Sequence, residues 1–471
     1  MGRADEKLTR RLKPVIVAGA RTRPGVLAKL TSRPTVWGGG IQEMAEIRRL
    51  TVATTGMHRV RGSSYSDARL PFAFLAAAIF AQVGACLAFG PLLQLLVPLK
   101  AAAIDPGRKA ALLSQVLVSG AATAAVANLA IGMASDRTRS RFGRRRPWMV
   151  VGLVGALAAY VLVARAASPA QLLAAVMVFQ LFFNAFFAAF AAAVAERAPG
   201  ASRGMLYSLM ALGPPVGSIA GLLLVGDLAR SPIVAYAGLS LMILVAVAPF
   251  TLLFRDAPAS PPSVPQSGER LAPHLRWSPS FLLAVSGRAA TVTAQATLQG
   301  FAFFAVQDRW QHLHGAPTGL RPEQAVANLL IVATGANLVT GMVCGWWSDR
   351  IGRRKPFVVL SAIGSGLALA ACGLAGDWLA VVGALIVFGC ASGCYNAIGT
   401  ALLVQVLPSL DNAGRDLGLA NLGNTLPQVL APLMAALVMH DRLSAYPRLF
   451  LLAGGLAILG GLAILPVRSV H

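Results

Sequence analysis

Between residues 71 and 467 the chain carries twelve mostly apolar runs, each close to the roughly 20 residues a helix needs to cross a bilayer core. They fall at 71–97, 110–134, 147–164, 169–195, 203–226, 232–253, 280–307, 323–346, 356–375, 378–406, 416–439 and 446–467. In hydrocarbon every backbone N–H and C=O must find its partner within the protein, so spans of this length read as helices. A soluble fold is excluded on the same ground: 56% of residues are hydrophobic and only 13% charged, with a mean hydropathy of +0.66. The expected class is an all-α integral membrane protein of twelve transmembrane helices.

The formal net charge of +23 would suit a nucleic-acid partner, but its placement does not. Beyond residue 70, 17 Lys and Arg lie in the loops after helices 2, 4, 6, 8, 10 and 12, against 9 in the loops on the other side. That asymmetry is the positive-inside signal and puts both termini in the cytoplasm. All five cysteines fall within the apolar runs, where they read as small apolar side chains rather than as a disulfide framework or metal site. Residues 1–69 are Arg-rich without an apolar stretch. They read as a disordered cytoplasmic tail, or as sequence ahead of a later start at Met57.

The chain is written twice. An offset of 213 relates Asp136 to Asp349, Gln82 to Gln295 and Gln94 to Gln307. Beyond a basic loop that is longer in the first copy, offsets of 209 and 212 relate Pro199 to Pro408, Arg203 to Arg415 and Pro215 to Pro427. Two six-helix halves are expected, 70–254 and 279–471. Between them 255–278 is Pro- and Ser-rich, the composition of a flexible cytoplasmic linker.

The most specific repeated phrase is GMASDRTRSRFGRRRP, from Gly132 to Pro147, and GWWSDRIGRRKP, from Gly345 to Pro356. The second resembles the loop motif between helices 8 and 9 of the major facilitator superfamily. The longer first copy is similar to the sucrose-transporter-like and glycoside/pentoside/hexuronide branches, as is Ala413 to Pro432. The resemblance covers residues 70 to 467 and implies a carrier that works by alternating access, with the aspartate of the phrase latching the halves together on the cytoplasmic side.

Topology alone accounts for the arginines but not for Asp136 and Asp349, each four residues after a glycine, Gly132 or Gly345. A carboxylate there can face the positive end of a neighbouring helix, with the glycine admitting a close approach. Pseudo-symmetry pairs Asp136 with the start of helix 11 near Arg415, and Asp349 with the start of helix 5 near Ser202. It also pairs Arg137 with Glu196 and Arg350 with Asp411. Gly143, Arg144, Gly352 and Arg353 complete the phrase.

In the resembled fold, helices 1, 4, 7 and 10 line the central cavity. Their mid-depth polar residues are Gln82, Gln180, Asn184, Gln295, Gln299, Tyr395 and Asn396. Amides both donate and accept, which suits a neutral, hydroxyl-rich ligand such as a sugar; bridging between helices is their other common use. Asn421, Asn424, Gln428 and Tyr207 rank second. Arg288 is the one charge well inside a span, which points to a cavity or partner or to snorkelling toward the cytoplasm. None of the 13 acidic residues after residue 70 lies near mid-depth. Coupling to a proton or sodium ion therefore has no obvious site; Glu196, Asp136 and Asp308 come nearest.

Two rivals stand beside a sugar carrier. Gly213-Pro214-Pro215-Val216-Gly217 partly resembles the glycine-proline motif of proton antiporters that export drugs, and a non-transporting receptor or assembly protein could use the same fold. HExxH and P-loop motifs are missing, so neither an enzyme nor a cofactor or metal is expected. The expected setting is a monomer in the cytoplasmic membrane, with a small-molecule substrate and no nucleic acid.

Overall fold

A computed structural model describes residues 72–197, 203–228, 231–254, 279–405, 423–438 and 445–467. They form α1 (Phe72–Ile104), α2 (Lys109–Arg137), α3 (Arg146–Arg165), α4 (Pro169–Arg197), α5 (Arg203–Met210 and Gly213–Leu228) and α6 (Pro232–Leu253). The second half has α7 (Pro279–Gln307), α8 (Pro322–Ile351), α9 (Lys355–Leu374), α10 (Trp378–Gln405), α11 (Pro427–Val438) and α12 (Tyr446–Leu462). The tail, the linker 255–278 and the segment 406–422 lie outside the described residues. No strand occurs among those described. Ten helices are long and apolar enough to cross a membrane, and α11 and α12 are shorter apolar helices.

Helix ends follow the sequence closely, because Pro at the first turn starts α3, α6, α8, α9 and α12. Where an expected helix lies wholly within the described residues, the largest departure is α1, which runs to Ile104 instead of 97. It passes through Pro91 by way of a π-helical turn, Leu92–Leu96. Such a turn re-satisfies backbone groups that a proline frees.

Small residues let the helices touch backbone to backbone. On α10, Gly389 and Gly393 lie so close to α8 that a Cβ would stand 2.3 Å from the Ala333 carbonyl oxygen and 2.0 Å from that of Asn337. Any side chain there would force α8 and α10 apart. Across the two halves, α2 lies along α11 and α5 along α8, the helix pairs that pseudo-symmetry predicts. At the outer end a Cβ on Gly226 of α5 would meet Ala327 of α8 at 3.0 Å. The Lys109 ammonium of α2 there forms an ion pair with Asp308, just past α7. The outer ends are closed on each other.

Within each half the basic phrase acts as a clamp. Gly143 (φ 102°) and Gly352 (φ 72°) take left-handed backbone that costs other residues energy, turning the chain sharply before the next helix. Arg145, itself buried, then reaches Ser135 of α2 at 2.5 Å and Glu196 at the end of α4 at 2.8 Å; Arg144 joins it on Glu196. Arg146 donates to the Thr251 and Leu252 carbonyls that end α6, and its counterpart Lys355 to the Val467 carbonyl beyond α12. A cation on the last carbonyls of a helix satisfies groups that the helix cannot.

Candidate functional site

A cavity of about 510 Å³ opens between the halves and is lined by α1, α4, α5, α7, α8 and α10. Its wall has two chemistries. The first half contributes Phe89, Phe183, Phe187, Pro214 and Pro215, with Gln94 and Ser218 as the polar exceptions. Phe89 packs on Phe183 at 5.1 Å between ring centroids, and Phe183 on Phe187 at 5.8 Å. The second half contributes Gln295, Gln299, Thr334, Asn337, Ser392 and Asn396, with Leu298, Leu330 and Phe388 among them.

Gln295 is the best-defined polar group of the wall. Its Oε1 accepts from Asn396 Nδ2 at 3.3 Å, which fixes the amide and turns Nε2 away from that partner. Gln295 is 6% exposed, and its Nε2 and the Ser392 hydroxyl have no hydrogen-bond partner among the described residues. A buried polar group left unpaired costs about 1–3 kcal/mol, so acceptor oxygens entering the cavity would bind where the protein alone is unsatisfied.

Of the seven cavity candidates, Gln295, Gln299 and Asn396 line this space and four do not. Gln82 lines a smaller neighbouring cavity with Tyr207. It packs against Gly213 just past the break in α5 and donates weakly to Cys86 Sγ at 3.7 Å. Gln180 and Asn184 are buried in a bridge between helices: Asn128 of α2 donates to Asn184 Oδ1 at 3.4 Å, and Asn184 Nδ2 donates to the Gln180 carbonyl at 2.8 Å. Tyr395 is buried in the second half and donates to the Gly287 carbonyl at 3.3 Å. The two members of the pair Tyr395–Asn396 point to different places because consecutive helical residues are about 100° apart.

Sequence reasoning missed Gln94, Ser218, Thr334, Asn337 and Ser392. Gln94 stands in the π-helical turn of α1, and helix 8 is not among those that the resemblance puts around the cavity. The offset that pairs Gln94 with Gln307 was the available signal.

Arg288 is 9% exposed. Its Nε donates to Asn424 Oδ1 at 2.8 Å, close to Gly399 and Gly423, and it does not snorkel. Gln428 is exposed, and Asn421 lies outside the described residues.

The latch expectations change more. Glu196 pairs with Arg144 and Arg145 in place of Arg137, which is exposed. The clamp arginines follow the turn at Gly143 back toward α4, whereas Arg137 ends α2 exposed. Asp349 pairs with Arg354 of its own loop at 2.9 Å, and Arg350 lies over the Trp346 ring at 5.3 Å. No described atom stands within 4 Å of a Cβ on Gly132, and the nearest to one on Gly345 is Ala397 at 3.9 Å. Neither glycine admits a close contact here. The Asp136 side chain, Asp411 and the partner segments near Ser202 and Arg415 lie outside the described residues. Arg353 is exposed.

The sequence profile of the Major Facilitator Superfamily matches residues 75–317 and again 289–470. Among solved structures, the nucleoside transporter NupG superposes with a TM-score of 0.62 at 14% identity, over 85% of this chain and 100% of that one. A D-xylose-proton symporter gives 0.64 at 15% identity, over 84% and 99%. A bacterial homolog of the human lysosomal transporter Spinster, inward-facing and occupied, gives 0.63 at 13%, over 85% and 97%. At these identities the likeness is one of fold. No curated protein matches the chain in sequence.

Proposed function

The chain belongs to the Major Facilitator Superfamily, and on that premise we propose that it carries a neutral sugar or glycoside across the cytoplasmic membrane. Membrane transport by alternating access is the activity of such a fold. The substrate reading rests on one observation above the others: the second half presents Gln295, Gln299, Asn337 and Asn396 to the cavity, with the Gln295 Nε2 donor unpaired. Among the described residues, no Asp, Glu, Lys, Arg or His lines the cavity. An ionic substrate would arrive without a countercharge, whereas hydroxyls meet amides that both donate and accept. The opposing phenylalanines suit the C–H face of a sugar ring or an apolar aglycone.

The same aromatic wall favours a second reading, an exporter of apolar compounds. Uptake of labelled sucrose and maltose into proteoliposomes, with and without an inward proton gradient, separates the two. The sugar reading expects saturable uptake that Gln295→Ala reduces at least about tenfold, the scale of one lost hydrogen bond to a substrate. Folded protein that takes up neither sugar, yet expels an apolar dye, would replace it with the exporter.

A further inference from the structure

The ion pair between Lys109 and Asp308 joins the two halves, and it is partly buried. Side-chain exposure is 15% for Lys109 and 7% for Asp308. Lys109 opens α2, and Asp308 follows the last residue of α7. Lys109 also donates to the Gln307 side chain at 3.1 Å and sits 5.0 Å from the centre of the Phe304 ring. All three of these partners belong to the second half. The pair exists only while the outer ends are together, since separating the halves must break it.

Lys109 takes Oδ1 of the Asp308 carboxylate. Among the described residues, the titratable or charged groups that face it are Lys109 from α2 and the Tyr446 hydroxyl from α12. The neighbouring Arg309 is turned away, onto the Cys372 and Gly373 carbonyls of α9. Desolvating a carboxylate in this way is tolerated only because one cation is beside it.

We infer that Asp308 is a proton-binding site open to the external side, and that its ionised form, paired with Lys109, locks the outer gate. A proton that binds Asp308 leaves a neutral carboxylic acid and an unpaired ammonium on Lys109. That arrangement is stable only where water can reach the ammonium, with the outer ends apart. Acid outside therefore favours the outward-facing state, by the rule that a ligand shifts an equilibrium toward the state that binds it better. Asp308 lies 13 residues, about 20 Å, beyond Gln295 along the axis of α7. Its proton comes from the outside and returns there, so it sets the resting orientation without crossing with the substrate. The proposal rests on alternating access and is independent of which substrate the cavity takes.

The test needs no substrate. Spin labels are placed at the exposed outer-loop positions Gly107→Cys and Gly319→Cys, in a background whose native cysteines are alanine. Their separation is then read by double electron–electron resonance at about pH 7.5 and about pH 4.5, spanning the carboxylate range. The carrier should show mainly the short distance at the higher pH and gain the long one in acid. Asp308→Asn should show the long distance at both pH values, and Lys109→Gln should show it at the higher pH, where its ionised Asp308 has no countercharge, and lose it in acid; each moves the open-to-closed ratio about tenfold or more at the higher pH. Lys109→Arg should behave as the unaltered pair does, and exchanging the residues, Lys109→Asp with Asp308→Lys, should restore the short distance at neutral pH. A folded Asp308→Asn protein that keeps the short distance, or that responds to acid as the unaltered carrier does, overturns the proposal. So does a shift produced by sodium at constant pH and not by acid.

Discussion

The two halves descend from one repeated sequence, yet they face the cavity with opposite chemistry, aromatic in the first and amide-rich in the second. Two pairs of repeated glutamines show how the difference arises. Gln295 reaches the cavity with a free donor, while its counterpart Gln82 packs on the break in α5 beside Cys86. Gln94 lines the cavity from the π-helical turn of α1, while its counterpart Gln307 stands at the outer end and holds Lys109. Pseudo-symmetry thus preserves the scaffold and leaves each half free to place a polar residue where its own helix geometry turns it. If substrate recognition is polar, it belongs to the second half.

That assignment can be broken directly. Gln295→Ala removes the fixed amide of the polar wall and is expected to lower kcat/KM about 10- to 100-fold, about 1.4–2.8 kcal/mol. Gln82→Ala and Gln180→Ala, which remove amides that serve packing and helix bridging, should each leave kcat/KM within about twofold. Equal losses for Gln82→Ala and Gln295→Ala would place recognition on both walls and end the comparison. Removing an aromatic face has an intermediate expectation. Phe183→Leu should raise KM several-fold for a glycoside with an aromatic aglycone, and less for a free sugar, with kcat nearly kept.

The scaffold was legible in the sequence because a bilayer imposes length, internal hydrogen bonding and charge asymmetry on every span, and proline marks where several of them begin. The site was less legible. Of the mid-depth polar residues on the four helices that the resemblance puts around the cavity, Gln295, Gln299 and Asn396 line it, on the regular helices α7 and α10. Gln82 does not, because the neighbouring α5 is broken at Ala211–Leu212. Gln180 and Asn184 fall to a tertiary preference, for Asn128 lies across from them on α2. In the basic phrase, the close contact expected of Gly132 and Gly345 is not made here, whereas Gly143 and Gly352 are conformational, set by positive φ.

The two copies of that phrase extend the comparison to stability. Ala at Gly143 or Gly352 must adopt left-handed backbone, at a cost of about 1–2 kcal/mol. Each should lower the unfolding midpoint in detergent, Gly143→Ala the more, because its loop positions Arg145 as well as ending a turn. A stabilised Gly143→Ala protein would show that the turn is not needed.

The smallest effect separates the two carboxylates. Glu196 holds two arginines, one of them buried, whereas Asp349 is 69% exposed and, among the described residues, meets only Arg354 at hydrogen-bond distance. A pair that open to solvent contributes about 0–1 kcal/mol, and salt screens it further. Glu196→Gln is therefore expected to cost about 1 kcal/mol, since Arg145 would keep only a neutral acceptor in a buried position. Asp349→Asn should be near neutral for stability at any salt concentration. Its transport rate then decides what the aspartate is for. If the rate holds, the repeated carboxylate is a surface group in the second half; if it falls while stability stays unchanged, Asp349 acts in the opposite orientation, where the cytoplasmic ends meet.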